Sequence, residues 1–252
     1  MVAQATFLIF ISKMTAIRKR LHDIKEGNSL KDTQPFMKGN SVWYTIASKM
    51  PHDILFLKKG VIYHPDEFED KVAILVEGLL KVFLSESTGE ERFMWIVEPY
   101  SIIQWRINHN FSHNLIAIKN SKLYLINQLH FFNTIREDTD LFNLYIDSIY
   151  QKYTYSVEKL IVSDTHNSQF KLYSFLLHLA YRYGKPQIDG SIWVENILTR
   201  NDISSITGVH RTNIIKYLSR LESLDIINKG RNYISIKNLS ALKNLIDSLD
   251  SL

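Results

Sequence analysis

Cysteine is absent from this chain of 252 residues. That removes structural disulfides, a cysteine-held iron–sulfur cluster and a thiol redox switch. No apolar run approaches the roughly 18 residues that a membrane-spanning helix needs. The stretch "ATFLIFI" at 5–11 is too short, and the polar and charged residues after it do not read as a signal-peptide cleavage region. The cytosol is the expected address, with no membrane partner. Met14 and Met37 also offer start positions, so residues 1–39 read as an N-terminal extension without an assigned role. Neither a glycine-rich phosphate loop nor a Gly-x-Ser-x-Gly elbow is present. No cofactor or metal is called, and nothing in the pattern singles out any of the nine histidines as a haem ligand.

What is present is concentrated near the C-terminus. In "TRNDISSITGVHRTNIIKYLSRLE" (199–222), Thr199 can cap a helix through its hydroxyl, and Asp202 three residues on completes a capping box. Ile203 and Ile206 give that helix a narrow apolar face. Gly208 can adopt a positive φ and turn the chain at little cost. The next helix carries Ile214, Leu218 and Leu221 on one stripe, and shows Arg211, Thr212, Asn213 and Lys216 on the other. A short helix, a glycine turn and a helix with a hydrogen-bonding N-terminus describe a helix-turn-helix. A helical hairpin inside an α/β enzyme would need no such polar cluster. "DIINKGRNYISIKN" (225–238) adds a hairpin tipped by Lys229 and Arg231, and "GSIWVENIL" (190–198) supplies another strand. Together these make a winged helix whose wing can meet phosphates.

Charge agrees with this division. Residues 165–252 hold 11 Lys and Arg against 7 Asp and Glu, while the first 164 hold 19 of each. The whole excess of four therefore falls on the segment that would face nucleic acid.

Upstream, residues from about 40 to 127 are strand-rich. Runs at 53–64, 71–99 and 113–127 are punctuated by Gly60, Gly78 and Gly89, with Thr88-Gly89 a hairpin turn. Such spacing suggests a sandwich or jelly roll. From about 129 the pattern turns helical. In 141–164, Phe142, Ile146, Ile149, Tyr153, Ser156 and Leu160 recur at alternating spacings of four and three. That is the seam of a coiled coil, although a long amphipathic helix packing on its own β-domain has the same pattern. A further helix at 169–184 ends at Gly184 and Pro186.

A β-roll, a long helix with a heptad-like seam and a C-terminal winged helix, in this order, resemble the Crp/Fnr family of bacterial transcription regulators over about residues 50–240. The likeness is strongest in "LTRNDISSITGVHRTNIIKYLSRLESLDII" (198–227). Thr199, Arg200, Ile203, Gly208 and Arg211 match the family's signature. Its Ser-Arg-Glu-Thr is here His210-Arg211-Thr212-Asn213, so the glutamate that accepts from cytosine is missing, and its later arginine is Lys216. The resemblance implies an α+β chain with four parts: the extension 1–39, a double-stranded β-helix (jelly roll) sensor at 40–132, a dimerisation helix at 133–166 and a winged helix-turn-helix at 167–252. It implies a homodimeric regulator and not an enzyme, with double-stranded DNA, a second copy of the chain and RNA polymerase as partners. Expected DNA contacts are Thr199, Arg200, His210, Arg211, Thr212, Asn213, Lys216, Lys229 and Arg231; the seam residues are Phe142, Ile146, Ile149, Tyr153 and Leu160.

Departures from the family bear on the effector. Members that sense cyclic AMP carry Gly-Glu and, about ten residues later, Arg-Ser; Gln104-Trp105 and Phe111-Ser112 stand there. An anionic cyclic nucleotide would be desolvated without its charge partner, which argues against cyclic AMP. The family's base-contacting Thr-Ser pair resembles Ser156-Val157. A pocket bounded by Trp95, Tyr100, Trp105, Phe111, Tyr153 and Ser156 would suit an apolar or aromatic small molecule, and the same aromatics would equally serve as roll core.

Two rival classes fit the residues less well. A metal enzyme or sensor of cupin type needs closely spaced histidines on one strand with a carboxylate nearby, and His109 and His113 sit in a polar, loop-like stretch without one. A winged helix that docks protein instead of DNA would show an apolar recognition face, whereas Arg211, Thr212, Asn213 and Lys216 are polar.

Overall fold

A computed structural model describes residues 35–64, 68, 70–86, 91–104 and 111–250, with backbone only at 86, 111–112 and 162–165. The 5–11 stretch, Met14, the Thr88-Gly89 turn, Trp105, His109 and the Phe111 side chain lie outside what is described. The described chain falls into two compact units, 35–153 with 197–206, and 154–196 with 207–250.

The first unit is built on seven strands: β1 (Phe36–Met37), β2 (Asp53–Leu57), β3 (Ile62–Tyr63), β4 (Lys71–Glu86), β5 (Glu91–Val97), β6 (Ile102–Gln104) and β7 (Phe111–Asn127). Their order is β1-β5-β4-β7-β2, with β3 also on β7 and β6 on β4. β4 opens on an apolar run in which Val72, Ala73, Ile74 and Leu75 are all fully buried, so both faces of the strand are covered. One cluster holds Leu57, Leu75, Leu80, Val82, Val97 and Leu115. The other holds Trp43, Ile74, Tyr124, Ile126, Phe131 and Ile135. The long β4–β7 pair slips register between Leu75 and Leu80. Gly78 lies there at φ +102°, and the Leu79 N–H donates to Ser121 Oγ at 3.2 Å. Such bulges bend and twist a strand pair, which is how a sheet this long curls into a roll.

Helices close the second cluster: α1 (Ser41–Ala47) and α2 (Gln128–Glu137). The strand-rich reading from residue 40 overlooked α1. Its "SVWYTIA" is rich in β-branched and aromatic residues, but Asn40 Oδ1 accepts from the Val42 N–H at 3.0 Å and starts a helix. Next comes α3 (Thr139–Thr165), 27 residues long, started by Asp138 Oδ1 accepting from the N–H groups of Asp140 and Leu141. Among the expected seam residues, Ile149, Tyr153 and Leu160 are 45%, 52% and 68% exposed. Ile146 instead packs against the second roll cluster.

In the second unit, α4 (Ser168–Tyr183) buries every residue from Leu172 to Ala180, as a central helix does. A four-stranded sheet follows, of order β10-β11-β9-β8: β8 (Lys185–Pro186), β9 (Ile192–Glu195), β10 (Ile227–Lys229) and β11 (Tyr233–Ile236). α5 (Arg200–Thr207), α6 (Arg211–Ser223) and α7 (Leu239–Asp250) complete the chain; α5 groups with the first unit as far as Ile206. Among the described residues, no helix is long and apolar enough to cross a membrane.

Candidate nucleic-acid interface

The start of α5 is a complete capping box. Thr199 Oγ1 accepts from the Asp202 N–H at 3.1 Å, and Asp202 Oδ2 accepts from the Thr199 N–H at 2.9 Å and from its hydroxyl at 2.6 Å. Burial pushes the Asp202 carboxyl up, but hydrogen bonds from Thr199 and Lys81 and the nearby Lys81 charge bring it below the usual carboxylate range. Ile203 and Ile206 are buried, while Thr199 and Arg200 are exposed. After Thr207, Gly208 takes φ +69°, a conformation that a side chain would strain.

His210 is the N-cap of α6 without a side-chain bond to its backbone; its ring nitrogen lies 2.8 Å from Thr212 Oγ1. Ile214, Leu218 and Leu221 are buried. His210, Arg211, Thr212 and Lys216 are exposed, and Asn213 is half-buried. Ile215, which the sequence reading passed over, is 48% exposed beside them. Its signal was an isoleucine off the Ile214–Leu218–Leu221 stripe.

β10 and β11 form the wing, pairing Ile227 with Ile236 and Lys229 with Ile234. Trp193 of β9 stacks on Tyr233 at 4.3 Å between centroids. Arg231 is exposed at the tip. Lys229 is already engaged, with Nζ 2.7 Å from Glu222 Oε2 and 3.3 Å from Ser219 Oγ, both on α6. The hydrogen bond from Lys229 lowers the Glu222 carboxyl. Lys229 therefore ties wing to recognition helix, a role that its position at a basic hairpin tip did not announce.

Of the aromatic residues expected together in the roll, the side chains of Trp95, Tyr100 and Tyr153 are described. Trp95 packs against the first cluster. Tyr100 lies 5.6 Å from Tyr44, which stacks in turn on Tyr124 of the second cluster. Tyr153 is exposed on α3, and Ser156 belongs to the second unit. A cleft of about 480 Å³ in the first unit is lined by Gln104, Gln128, Phe132, Arg136, Tyr145 and Ile149; the Tyr145 hydroxyl donates to Gln104 Oε1. Among the described residues, no three His, Asp or Glu side chains come together as a metal site.

Beside Trp95 stands Lys152, which no motif singled out. Its ammonium donates to the Ile102 carbonyl at 3.0 Å and lies 6.0 Å from the Trp95 ring centroid. Burial brings its pKa down to about 8. Below that pH both folded and unfolded chains are protonated, and the fold bears the full cost of enclosing the charge. From about 8 towards the ordinary lysine value, only the folded chain sheds the proton, so this group's contribution to stability rises with pH. Lys152→Met should raise the melting temperature at about pH 7, less the cost of freeing the Ile102 carbonyl, and the gain should shrink by about pH 9.5. Thermal melts at the two pH values check this, and a gain that grows with pH would contradict it.

Residues 171–245 match the family described as the Crp-like helix-turn-helix domain. The chain is 20% identical over 192 residues to the nitrogen fixation regulation protein FixK of Azorhizobium caulinodans, covering 76% of this chain and 77% of that one. Among solved structures it is similar to CprK complexed with OCPA (20% identity, TM-score 0.65, 83% of this chain and 97% of that one). It is also similar to FixK2 from Bradyrhizobium japonicum (16%, 0.65, 78% and 98%). A CooA mutant from Carboxydothermus hydrogenoformans is similar as well (17%, 0.68, 83% and 98%). At these identities the likeness to solved structures is one of fold.

Proposed function

We propose that this chain, a DNA-binding transcription regulator of the Crp/Fnr type, works as a homodimer that reads an inverted repeat. The observation that carries the reading is the exposed polar cluster at the start of α6, with its apolar stripe fully buried behind it. Paired through the exposed seam of α3, two copies would set their recognition helices into successive major grooves roughly 34 Å apart. Arg211 would contact guanine in bidentate fashion, and Ile215 would lie against a thymine methyl. Asn213, half-buried, would reach adenine only by turning its side chain outward. Thr199, Arg200, His210, Thr212, Lys216, Lys229 and Arg231 would mainly hold the backbone. RNA polymerase is the further partner this role calls for.

An effector would act by shifting the population of DNA-competent arrangements. That the similar CprK structure is complexed with OCPA supports a small molecule as effector here. We place it beside Trp95, apolar or aromatic in character, and not cyclic AMP, since Gln104-Trp105 and Phe111-Ser112 stand where the ribose and phosphate partners would be needed.

Selection from random DNA with the full chain should enrich a palindromic site; failure to enrich one, with and without cell extract, would sink the reading. On the enriched site, Arg211→Ala should cost about 1–3 kcal/mol and relax preference at one base pair per half-site. Arg231→Ala should weaken all sequences alike and flatten the salt dependence. Competition binding against single-base variants separates the two.

A further inference from the structure

Lys81 on β4 and Asp202 on α5 are 121 positions apart in the chain, and both belong to the first compact unit. Lys81 Nζ lies 2.9 Å from Asp202 Oδ1, with the two side chains only 12% and 17% exposed. The other carboxylate oxygen, Oδ2, is held by the N–H and hydroxyl of Thr199. A single carboxylate therefore closes the cap of the DNA motif's first helix with one oxygen and ties that helix to the roll with the other. On the roll side, Lys81 is set between Ile96 and Ile116 on the two neighbouring strands, and its ammonium lies 5.9 Å from the Phe83 ring.

We propose that Lys81 is a positioning residue for DNA binding: through Asp202 it fixes the first turn of α5, and with it Thr199 and Arg200, for the phosphate backbone, without touching DNA itself. This rests on the DNA-binding reading above. Two physical reasons support it. Exposed ion pairs contribute little, but this one is largely withdrawn from water, so removing the lysine leaves a carboxylate that water repays poorly. The first helix of such a motif also crosses the DNA backbone. An uncompensated Asp202 in its N-terminal turn would stand among approaching phosphates, and Lys81 neutralises it. A strand of the sensor roll thereby holds part of the DNA-reading motif, and a shift in β4 would be felt at Thr199 and Arg200.

The test is a double-mutant cycle on the full chain, with affinity for the selected DNA fragment measured by fluorescence anisotropy. Asp202→Asn keeps an acceptor for the Thr199 cap but removes the charge. Lys81→Met should weaken binding about five-fold or more in the wild-type background and add little in the Asp202→Asn background, whereas Lys81→Arg should retain most of the affinity. Equal losses in both backgrounds would mean that Lys81 contacts DNA directly, and no loss in the wild type would mean that it positions nothing; either overturns the proposal. If Lys81→Met does not fold, Lys81→Gln, which keeps the stem and a neutral donor, carries the same comparison. A wild-type chain that binds no selected DNA would overturn the DNA-binding reading together with this one, and so is told apart from a failure at Lys81 alone.

Discussion

Ile149→Asp should leave the protein monomeric at micromolar concentration, with affinity for a two-half-site DNA lowered by on the order of a hundred-fold or more. Ile149 is 45% exposed on α3, in line with Tyr153 and Leu160, which are more exposed still. In a two-fold dimer an apolar residue on the seam meets its own copy or a near neighbour, so the substitution places two carboxylates in one interface. Neither would find a partner there, and an unpaired buried carboxylate is far costlier than a lost methylene. Separated protomers would each hold one half-site, losing the effective concentration that links the two binding events. Sedimentation velocity and binding to full and half sites measure both effects. A wild-type chain that is monomeric under the same conditions, or an Ile149→Asp variant that still dimerises, would remove α3 as the dimer element. Ile146→Asp makes the contrast: Ile146 packs against the second roll cluster, so that change should lower the melting temperature of the roll itself.

Gly78→Ala should destabilise the roll by about 3 kcal/mol or more, a drop of roughly 6–12 °C in melting temperature for a domain of this size. At φ +102° a side chain is strained in any surroundings, and an added Cβ would lie 2.6 Å from the Asn120 carbonyl oxygen and nearer still to the Ser121 hydroxyl. That hydroxyl accepts from the Leu79 N–H, so moving it away would break the bond that steadies the bulge. Gly60 provides the control. It too has a positive φ, +81°, but an added Cβ would meet nothing within 4 Å, so Gly60→Ala should cost only about 1 kcal/mol of backbone strain. Comparable losses at both positions in calorimetry would contradict the account of the bulge.

What the sequence by itself determined are features set by residues a few positions apart. The Thr199–Asp202 cap, the Gly208 turn, the stripe of Ile214, Leu218 and Leu221, and the 225–238 hairpin all depend on helical or strand periodicity and on local hydrogen bonds, and each is found where the pattern put it. The helix start at Asn40 was overlooked because the residues after it favour strands, while its cap is a single side-chain bond. Tertiary structure decided the partners across long separations, which no spacing rule encodes. It set Lys229 on Glu222, turned Ile146 to the roll and left Ile149 outside, and set Tyr100 beside Tyr44 while Trp95 packs on the first cluster. It also enclosed Lys152 beside Trp95 and joined Lys81 to Asp202. A charged side chain carries its energy into whichever surroundings the folded chain supplies, so its role is decided only when distant strands and helices have met.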